Sequence, residues 1–468
     1  MSFFSGLVGL FNPHGTIIEE NGERHQVNEM LSEGDELFRT IPPRSLALLL
    51  CKNQYESIFF YINSVEKNVV PIMVDAESDY SLVNALVAKY QPDYVFAPSL
   101  EEIHFERYLF EKNFRNYTLY KFNGHNPITL NSELALLLST SGTTGSPKLV
   151  RLSYGNLISN ASSISQYLEL NSSEIAISNL PMSYSYGLSI INSHLFVGGS
   201  VVMTNESITQ RGFWELFKNY KVTSLSGVPY TFEILKQFRL LNSELPSLKM
   251  LTQAGGKLSN ELIQYFAQVS INKGFRFFVM YGQTEGTARL SYLPPQYITE
   301  KLGSIGIPIP NGEFHLLDNN GNEIVDSGTC GELVYNGPNV MLGYAECKAD
   351  LTNGNENNYK LYTGDIAFFD SEGFFFISGR IKRIIKLLGN RINLDELEIL
   401  LLDIGIVSAC TGKDNALVVY IIKSENNEIV KEFLTQKLRI HFSVFEIKLI
   451  NAIPKSTSGK TLYSKLVD

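Results

Sequence analysis

The run Ser139-Thr-Ser-Gly-Thr-Thr-Gly-Ser-Pro-Lys148 carries a dense set of groups able to hold an anion. Gly142 and Gly145 let the backbone turn sharply and bring its N–H groups close to a ligand. The hydroxyls of Ser141, Thr143 and Thr144 donate further hydrogen bonds, and Lys148 adds positive charge. That combination suits a polyphosphate. It is not the P-loop G-x-x-x-x-G-K-[ST], because counting on from Gly142 puts Pro147 where the second glycine should stand. On composition alone it is equally compatible with an ordinary Ser/Gly/Thr surface loop.

Three other short stretches offer complementary chemistry. Tyr281-Gly-Gln-Thr-Glu285 follows the strand-like run Phe275 to Met280, and ligands of α/β folds gather at such strand ends. Glu285 could hold a magnesium ion together with phosphate oxygens, Gly282 allows the turn, and Tyr281 offers a flat face to a base. Tyr362-Thr-Gly-Asp365 presents one acid in a turn, suited to a pair of ribose hydroxyls, and Arg380 follows where it could assist or neutralise phosphate. Pro454-Lys-Ser-Thr-Ser-Gly-Lys-Thr461 looks at first like a damaged P-loop, but proline stands at the first glycine position and that reading is rejected; Lys460 remains as a cation on a glycine-hinged loop. Each stretch taken alone also reads as a plain turn, strand exit or solvated tail.

The elements that must position these groups alternate. Ser45–Cys51, Val69–Val74 and Tyr94–Ala97 are strand-length apolar runs, separated by helical spacing over 54–65 and 83–90. The alternation resumes after Lys148, with helices expected over 154–168, 188–197 and 213–220 and strands over 174–178, 200–203 and 222–226. This predicts an α/β fold with helix-covered parallel sheets. Glycine-rich turns and short β runs between about 303 and 381 predict a β-rich subdomain. The remainder, 382–468, reads as a small α+β module. The expected domains are therefore 1–381 and 382–468.

At 468 residues the chain is too long for one ordinary core. A net charge of −9 without a basic run argues against nucleic acid as a partner. Four scattered cysteines and seven histidines lack zinc or disulfide spacing, so free, buried thiols and a cytoplasmic location are expected. Met1–Phe11 lacks the basic segment of a signal peptide, and no run is apolar enough for a membrane span.

Taken in order, these segments resemble the adenylate-forming (AMP-binding) superfamily: acyl- and aryl-CoA synthetases, peptide-synthetase adenylation domains and luciferases. Further matches are Pro181-Met-Ser-Tyr-Ser-Tyr-Gly187, Gln253-Ala-Gly-Gly-Lys257, the run Gly331 to Tyr344, Gly379 to Lys386, Gly389-Asn-Arg-Ile392 and Glu396-Leu-Glu398. The resemblance implies ATP-dependent activation of a carboxylic acid to an acyl-adenylate, with Mg2+ and release of pyrophosphate. Acyl transfer to CoA, or to the phosphopantetheine of an acyl carrier protein, would follow.

By that resemblance Ser141, Thr143, Thr144 and Lys148 hold the β- and γ-phosphates. Thr284 touches the α-phosphate, Glu285 holds the metal, and Tyr281 with Gly255 and Gly256 encloses adenine. Asp365 and Arg380 bind ribose. Lys460 drives adenylation, Lys382 is the hinge of a mobile small domain, and Gly389 to Arg391 lie on the thiol side. Tyr184, Tyr186 and Tyr230 would line the acid pocket. The chain departs from the pattern at Tyr184, where the family often has histidine, and at Ser185, where amino-acid-activating members carry aspartate. An α-ammonium without that carboxylate would be costly to bury, so an amino acid is the alternative substrate and a non-catalytic member the alternative class. The C-terminal module is short for the family, which favours a carrier protein as acceptor.

Overall fold

The computed structural model describes residues 9–99, 107–124, 128–139, 148–242, 244–387, 390–413, 416–438, 441–455 and 461–466. The chain divides into two compact units. One comprises 1–303, 308–313 and 336–361; the other comprises 304–307, 314–335 and 362–468. The β-rich strands therefore cluster with the C-terminal module.

The first unit contains two sheets. One runs, edge to edge, through Gly343–Ala345, Leu149–Ser153, Leu134–Ser139, Val70–Asp75, Leu46–Cys51, Tyr94–Pro98, Tyr117–Phe122 and Tyr108–Phe114. Its central strand, Leu46–Cys51, is buried along its whole length, as a strand covered on both faces must be. The hairpin Tyr108–Phe114/Tyr117–Phe122 adds an antiparallel margin that the alternation alone does not announce.

The second sheet joins Ile175–Ser178, Ser200–Met203, Ser224–Gly227, Met250–Gln253 and Arg276–Tyr281 in parallel. Helix Tyr154–Leu168 precedes these strands, and Ser185–Phe196, Arg211–Asn219, Pro229–Gln237 and Asn260–Lys273 fall between them in sequence. Caps fix where they begin: Ser153 and Asn156 bond reciprocally at the head of the first, and Ser259 accepts from Leu262 N–H at the last. The second helix starts at Ser185, one turn earlier than its apolar periodicity suggests. Its first turn is the polar end of the Pro181–Gly187 stretch, where Ser185 and Tyr186 are already buried. Among the described residues no helix is long and apolar enough to cross a membrane.

In the second unit, Ser304–Pro308, Phe375–Arg380, Lys360–Phe369, Gly331–Asn336 and Glu313–Leu317 lie in that spatial order. Ile384–Leu387 pairs with Asn390–Asn393. Ser408–Lys413, Ala416–Ile421 and Phe445–Leu449 form a third sheet, with helices Leu394–Asp403 and Asn427–Leu438. Cys51 and Cys410 are buried free thiols as expected, whereas Cys330 and Cys347 are exposed.

His194 ties helix to sheet in the first unit. Its Nδ1 meets the Ile190 carbonyl at 2.8 Å and its Nε2 meets Ser224 Oγ at 3.1 Å, with the ring 3 % exposed. Burial, with a smaller contribution from Arg289, lowers its pKa to about 4. The unfolded chain therefore takes up this proton first as pH falls, and stability present above about pH 6.5 is lost towards the folded value. Between pH 7 and pH 5 the wild type should lose about 2 kcal/mol more unfolding free energy than His194→Gln, measured by urea denaturation.

Candidate active site

Four parallel strands of the second sheet deliver their C-terminal ends to one edge. After Ile175–Ser178 comes Tyr184, after Ser224–Gly227 comes Tyr230, after Met250–Gln253 come Gly255 and Gly256, and after Arg276–Tyr281 come Thr284 and Glu285. This is the edge where open α/β sheets bind ligands.

The Thr284–Glu285 turn is rigidly specified. At Gly282 a Cβ would lie 1.8 Å from the Ala288 carbonyl oxygen, so only glycine lets the chain fold back here. Asn339 Nδ2 donates to the carbonyls of Gly286 and Arg289 at 2.7 and 3.2 Å, and Asn160 Nδ2 donates to the latter at 3.0 Å. Met341 N–H donates to the Glu285 carbonyl at 2.9 Å. The side chains so fixed have distinct partners. Thr284 Oγ1 lies 3.1 Å from Ser185 Oγ, and Glu285 Oε1 accepts from the Tyr344 hydroxyl at 2.8 Å. Burial, then the neighbouring Glu285 charge, raises the Tyr344 pKa and keeps that hydroxyl a donor. Glu285 Oε2 has no hydrogen-bond donor among the described residues.

Lys148 completes the arrangement. Its Nζ stands 3.3 Å above the Tyr344 ring centroid and 3.9 Å from Glu346 Oε1. Tyr344 thus bridges the cation and the Glu285 carboxylate. It is carried there by the short strand Gly343–Ala345, which pairs Tyr344 with Val150 and Gly343 with Arg151. The fully occluded Arg151 side chain donates to the carbonyls of Tyr344 at 3.1 Å and Asn353 at 2.5 Å, and ion-pairs with Glu356.

The remaining predicted residues fall as follows. Gly255 has φ +85°, and a Cβ there would stand 2.6 Å from the Tyr184 hydroxyl oxygen; Gln253 Nε2 donates to the Gly256 carbonyl at 2.8 Å. Tyr281 accepts from Gln283 Nε2 at 3.1 Å. Tyr186 is 3 % exposed, with its hydroxyl 3.1 Å from the Thr252 carbonyl, whereas Tyr230 is 50 % exposed. In the second unit Asp365, opposite Arg380 across two strands, is buried and takes its Nε–H at 2.9 Å, while Arg380 stays largely exposed. Ser141, Gly142, Thr143, Thr144, Gly145, Gly389 and Lys460 lie outside the described residues, and Lys382 and Arg391 are described only as backbone.

Some of the constellation escapes sequence reasoning. Tyr344 sits within the Gly331–Tyr344 signature but gives no local sign of its partners. In the second unit Arg383 binds Asp395 at 2.5 Å and Glu398 at 2.6 Å, and Tyr463 donates to Glu398 at 2.8 Å. Arg151 does leave a trace, as a lone charge inside the apolar run Leu149–Ser153.

The chain belongs to the AMP-binding enzyme family, whose profile matches residues 51–345. It is 29 % identical over 366 residues to 4-coumarate–CoA ligase-like 6 of Arabidopsis thaliana, covering 73 % of this chain and 63 % of that protein. It is 31 % identical over 371 residues to a long-chain-fatty-acid–CoA ligase of Escherichia coli O157:H7, covering 75 % and 64 %. The match thus spans under two-thirds of these relatives' own length. Among solved structures, o-succinylbenzoate-CoA synthetase (MenE) of Bacillus subtilis with ATP and magnesium superposes with TM-score 0.75 at 21 % identity, covering 97 % of this chain and 96 % of that one. ATP-bound MatB of Rhodopseudomonas palustris gives 0.75 at 19 %, covering 97 % and 95 %. These likenesses establish the adenylate-forming fold.

Arg151→Met removes the ties that carry Tyr344 to Lys148 and leaves Glu356 without its cation. The expected cost is about 3 kcal/mol of unfolding free energy in urea, and an unchanged midpoint would show that the guanidinium does not hold this segment.

Proposed function

We propose that the chain is an acid–thiol ligase that activates a carboxylic acid with ATP and passes the acyl group to a thiol. The observation that carries this reading is the Lys148–Tyr344–Glu285 arrangement beside Thr284, a cation and a carboxylate held close without neutralising each other. Family membership supports it, as do the CoA-ligase names of the relatives.

In this reading Ser141, Thr143, Thr144 and Lys148 grip the β- and γ-phosphates while Thr284 contacts the α-phosphate. Tyr281 with Gly255 and Gly256 encloses the base, and Asp365 with Arg380 binds ribose. The acid's ionised oxygen attacks the α-phosphorus, an O–P bond forms, and the bond to pyrophosphate breaks; no general base is needed. Lys460 stabilises the charge that develops on the phosphate oxygens. In the second step the thiol sulfur attacks the acyl carbon, loses its proton, and AMP leaves. Residues 382–468 act as a lid turning about Lys382, with Gly389 and Arg391 on the thiol side, excluding water from a hydrolysable intermediate.

The donor set fits a magnesium ion: one carboxylate, Glu285, with Oε2 free of donors among the described residues, suits a cation that takes one or two carboxylates plus phosphate oxygens. When bound, the ion supplies neutralising charge for the leaving pyrophosphate. Acceptor thiols are CoA or a carrier-protein phosphopantetheine. Ser185 pairs with the Thr284 hydroxyl and supplies no carboxylate for an α-ammonium, which sets amino acids aside.

Carboxylate-dependent exchange of labelled pyrophosphate into ATP tests the reading, and silence across aliphatic, aryl and hydroxy acids with ATP binding intact would overturn it. Lys460→Ala should abolish exchange yet still form thioester from supplied acyl-AMP. Tyr344→Phe frees the Glu285 carboxylate from its orienting donor. The Mg2+ concentration for half-maximal exchange should rise about tenfold.

A further inference from the structure

Ser185 and Thr284 meet through their hydroxyls, 3.1 Å apart, and the two surroundings differ. Ser185 is 8 % exposed, whereas Thr284 is partly open to solvent. Among the described residues neither hydroxyl has another hydrogen-bond partner.

The backbone behind the pair is fixed on both sides. Thr284 stands on the turn that Gly282, Asn339 and Met341 specify. Ser185 opens its helix directly after a loop that a single side chain holds from the neighbouring sheet. Asn53 Nδ2 donates to the carbonyls of Ser178 and Leu180 at 2.8 and 3.0 Å, and its Oδ1 accepts from Met182 N–H at 3.0 Å. At Gly187 a Cβ would stand 2.3 Å from the Pro181 carbonyl oxygen, so the first helical turn lies against that loop.

Proton bookkeeping gives the bond a direction. Each hydroxyl carries one proton, so a pair joined by one bond keeps one proton unused. If Thr284 donated, the unused proton would belong to Ser185, buried with no acceptor among the described residues, which is unfavourable. If Ser185 donates, the unused proton sits on Thr284, at the open end of the pair, where a ligand oxygen can accept it. Accepting a bond also makes Thr284 the stronger donor.

We propose that Ser185 is a positioning residue, which donates to Thr284 Oγ1 and so aims the Thr284 proton at a phosphate oxygen of the nucleotide. This deepens the ligase reading and rests on it. A carboxylate at position 185, being only an acceptor, would take the Thr284 proton for itself and turn it away from the phosphate.

The test measures pyrophosphate exchange, and AMP and adenosine binding by calorimetry, in wild type, Ser185→Ala, Ser185→Thr, Thr284→Val and the Ser185→Ala/Thr284→Val double variant. Ser185→Ala should lower kcat of exchange about tenfold at unchanged KM for the acid. Ser185→Thr keeps the donor and should retain most activity, since Ser185 borders a cavity of about 10 Å3 that eases entry of the added methyl. In the Thr284→Val background Ser185→Ala should have no further effect, because no hydroxyl remains to be aimed. A serine needed only for packing or for opening the helix would cost as much with Thr284→Val as without it, and such additive losses would overturn the proposal. A Ser185→Ala as active as wild type would overturn it too, placing the serine proton in the small cavity instead. AMP should lose several-fold affinity in Ser185→Ala while adenosine, which has no phosphate, should not; equal losses, or a wild type that binds AMP no better than adenosine, would sink the role. Should no acid support exchange, the ligase reading fails by itself, and the comparison of AMP with adenosine then decides for or against Ser185.

Discussion

A guanidinium taken out of water must be fully compensated or it destabilises the fold, and the first unit uses that constraint to build its site. Arg151 lies inside a strand whose every residue is buried, so its charge can be met only by what packs against that strand. The segment 343–356 meets it, with the carbonyls of Tyr344, Asn353 and Gly354 and the carboxylate of Glu356. Because these acceptors are distributed along the segment, satisfying the arginine fixes the segment's path. Tyr344 follows from that path, and through Tyr344 the positions of the Lys148 ammonium and the Glu285 carboxylate are related.

The Thr284–Glu285 turn obeys the same logic with amides in place of charge. Asn156, Asn160 and Asn339 are all nearly occluded, and each donates to carbonyls that a tight turn or an irregular segment leaves unpaired. Orphaned backbone groups are expensive when buried. The asparagines therefore select one conformation for a stretch that has no regular hydrogen-bond ladder of its own. Thr287 and Ala288, at φ +54° and +94°, show how far that conformation departs from what L-residues prefer.

Much of the framework is legible in the chain because period and punctuation coincide there. Leu46–Cys51, Leu134–Ser139 and Tyr154–Leu168 are bounded by turn and capping residues at the expected places. Ser185–Phe196 is misread at its start because a serine and a tyrosine open it, and their burial comes from the sheet beneath, not from periodicity. The anion-binding types at Lys148 and Thr284 and the cation-binding carboxylate at Glu285 are visible as motifs. The pairings that orient them are not, since Tyr344 is almost two hundred residues from Lys148 in sequence. Tyr186 illustrates the converse: an aromatic expected to line a pocket spends its hydroxyl on Thr252 and its ring on Arg289. Residue type proposes a role, and long-range neighbours decide it.

The choice of a tyrosine between Lys148 and Glu285 has a further consequence. A direct lysine–carboxylate pair would gain Coulomb energy, but it would cancel the charges that a nucleotide and its metal need. A cation over an aromatic face is held by about 0.5–2 kcal/mol. Charge-assisted bonds to phosphate are stronger and displace it readily. The tyrosine hydroxyl occupies one carboxylate oxygen of Glu285 and leaves the other without a donor among the described residues. The arrangement therefore holds Lys148 by the ring and, at 3.9 Å, by the exposed Glu346 carboxylate, keeps it out of a direct pair with Glu285, and a ligand that carries negative oxygens and a divalent cation together satisfies both charges at once.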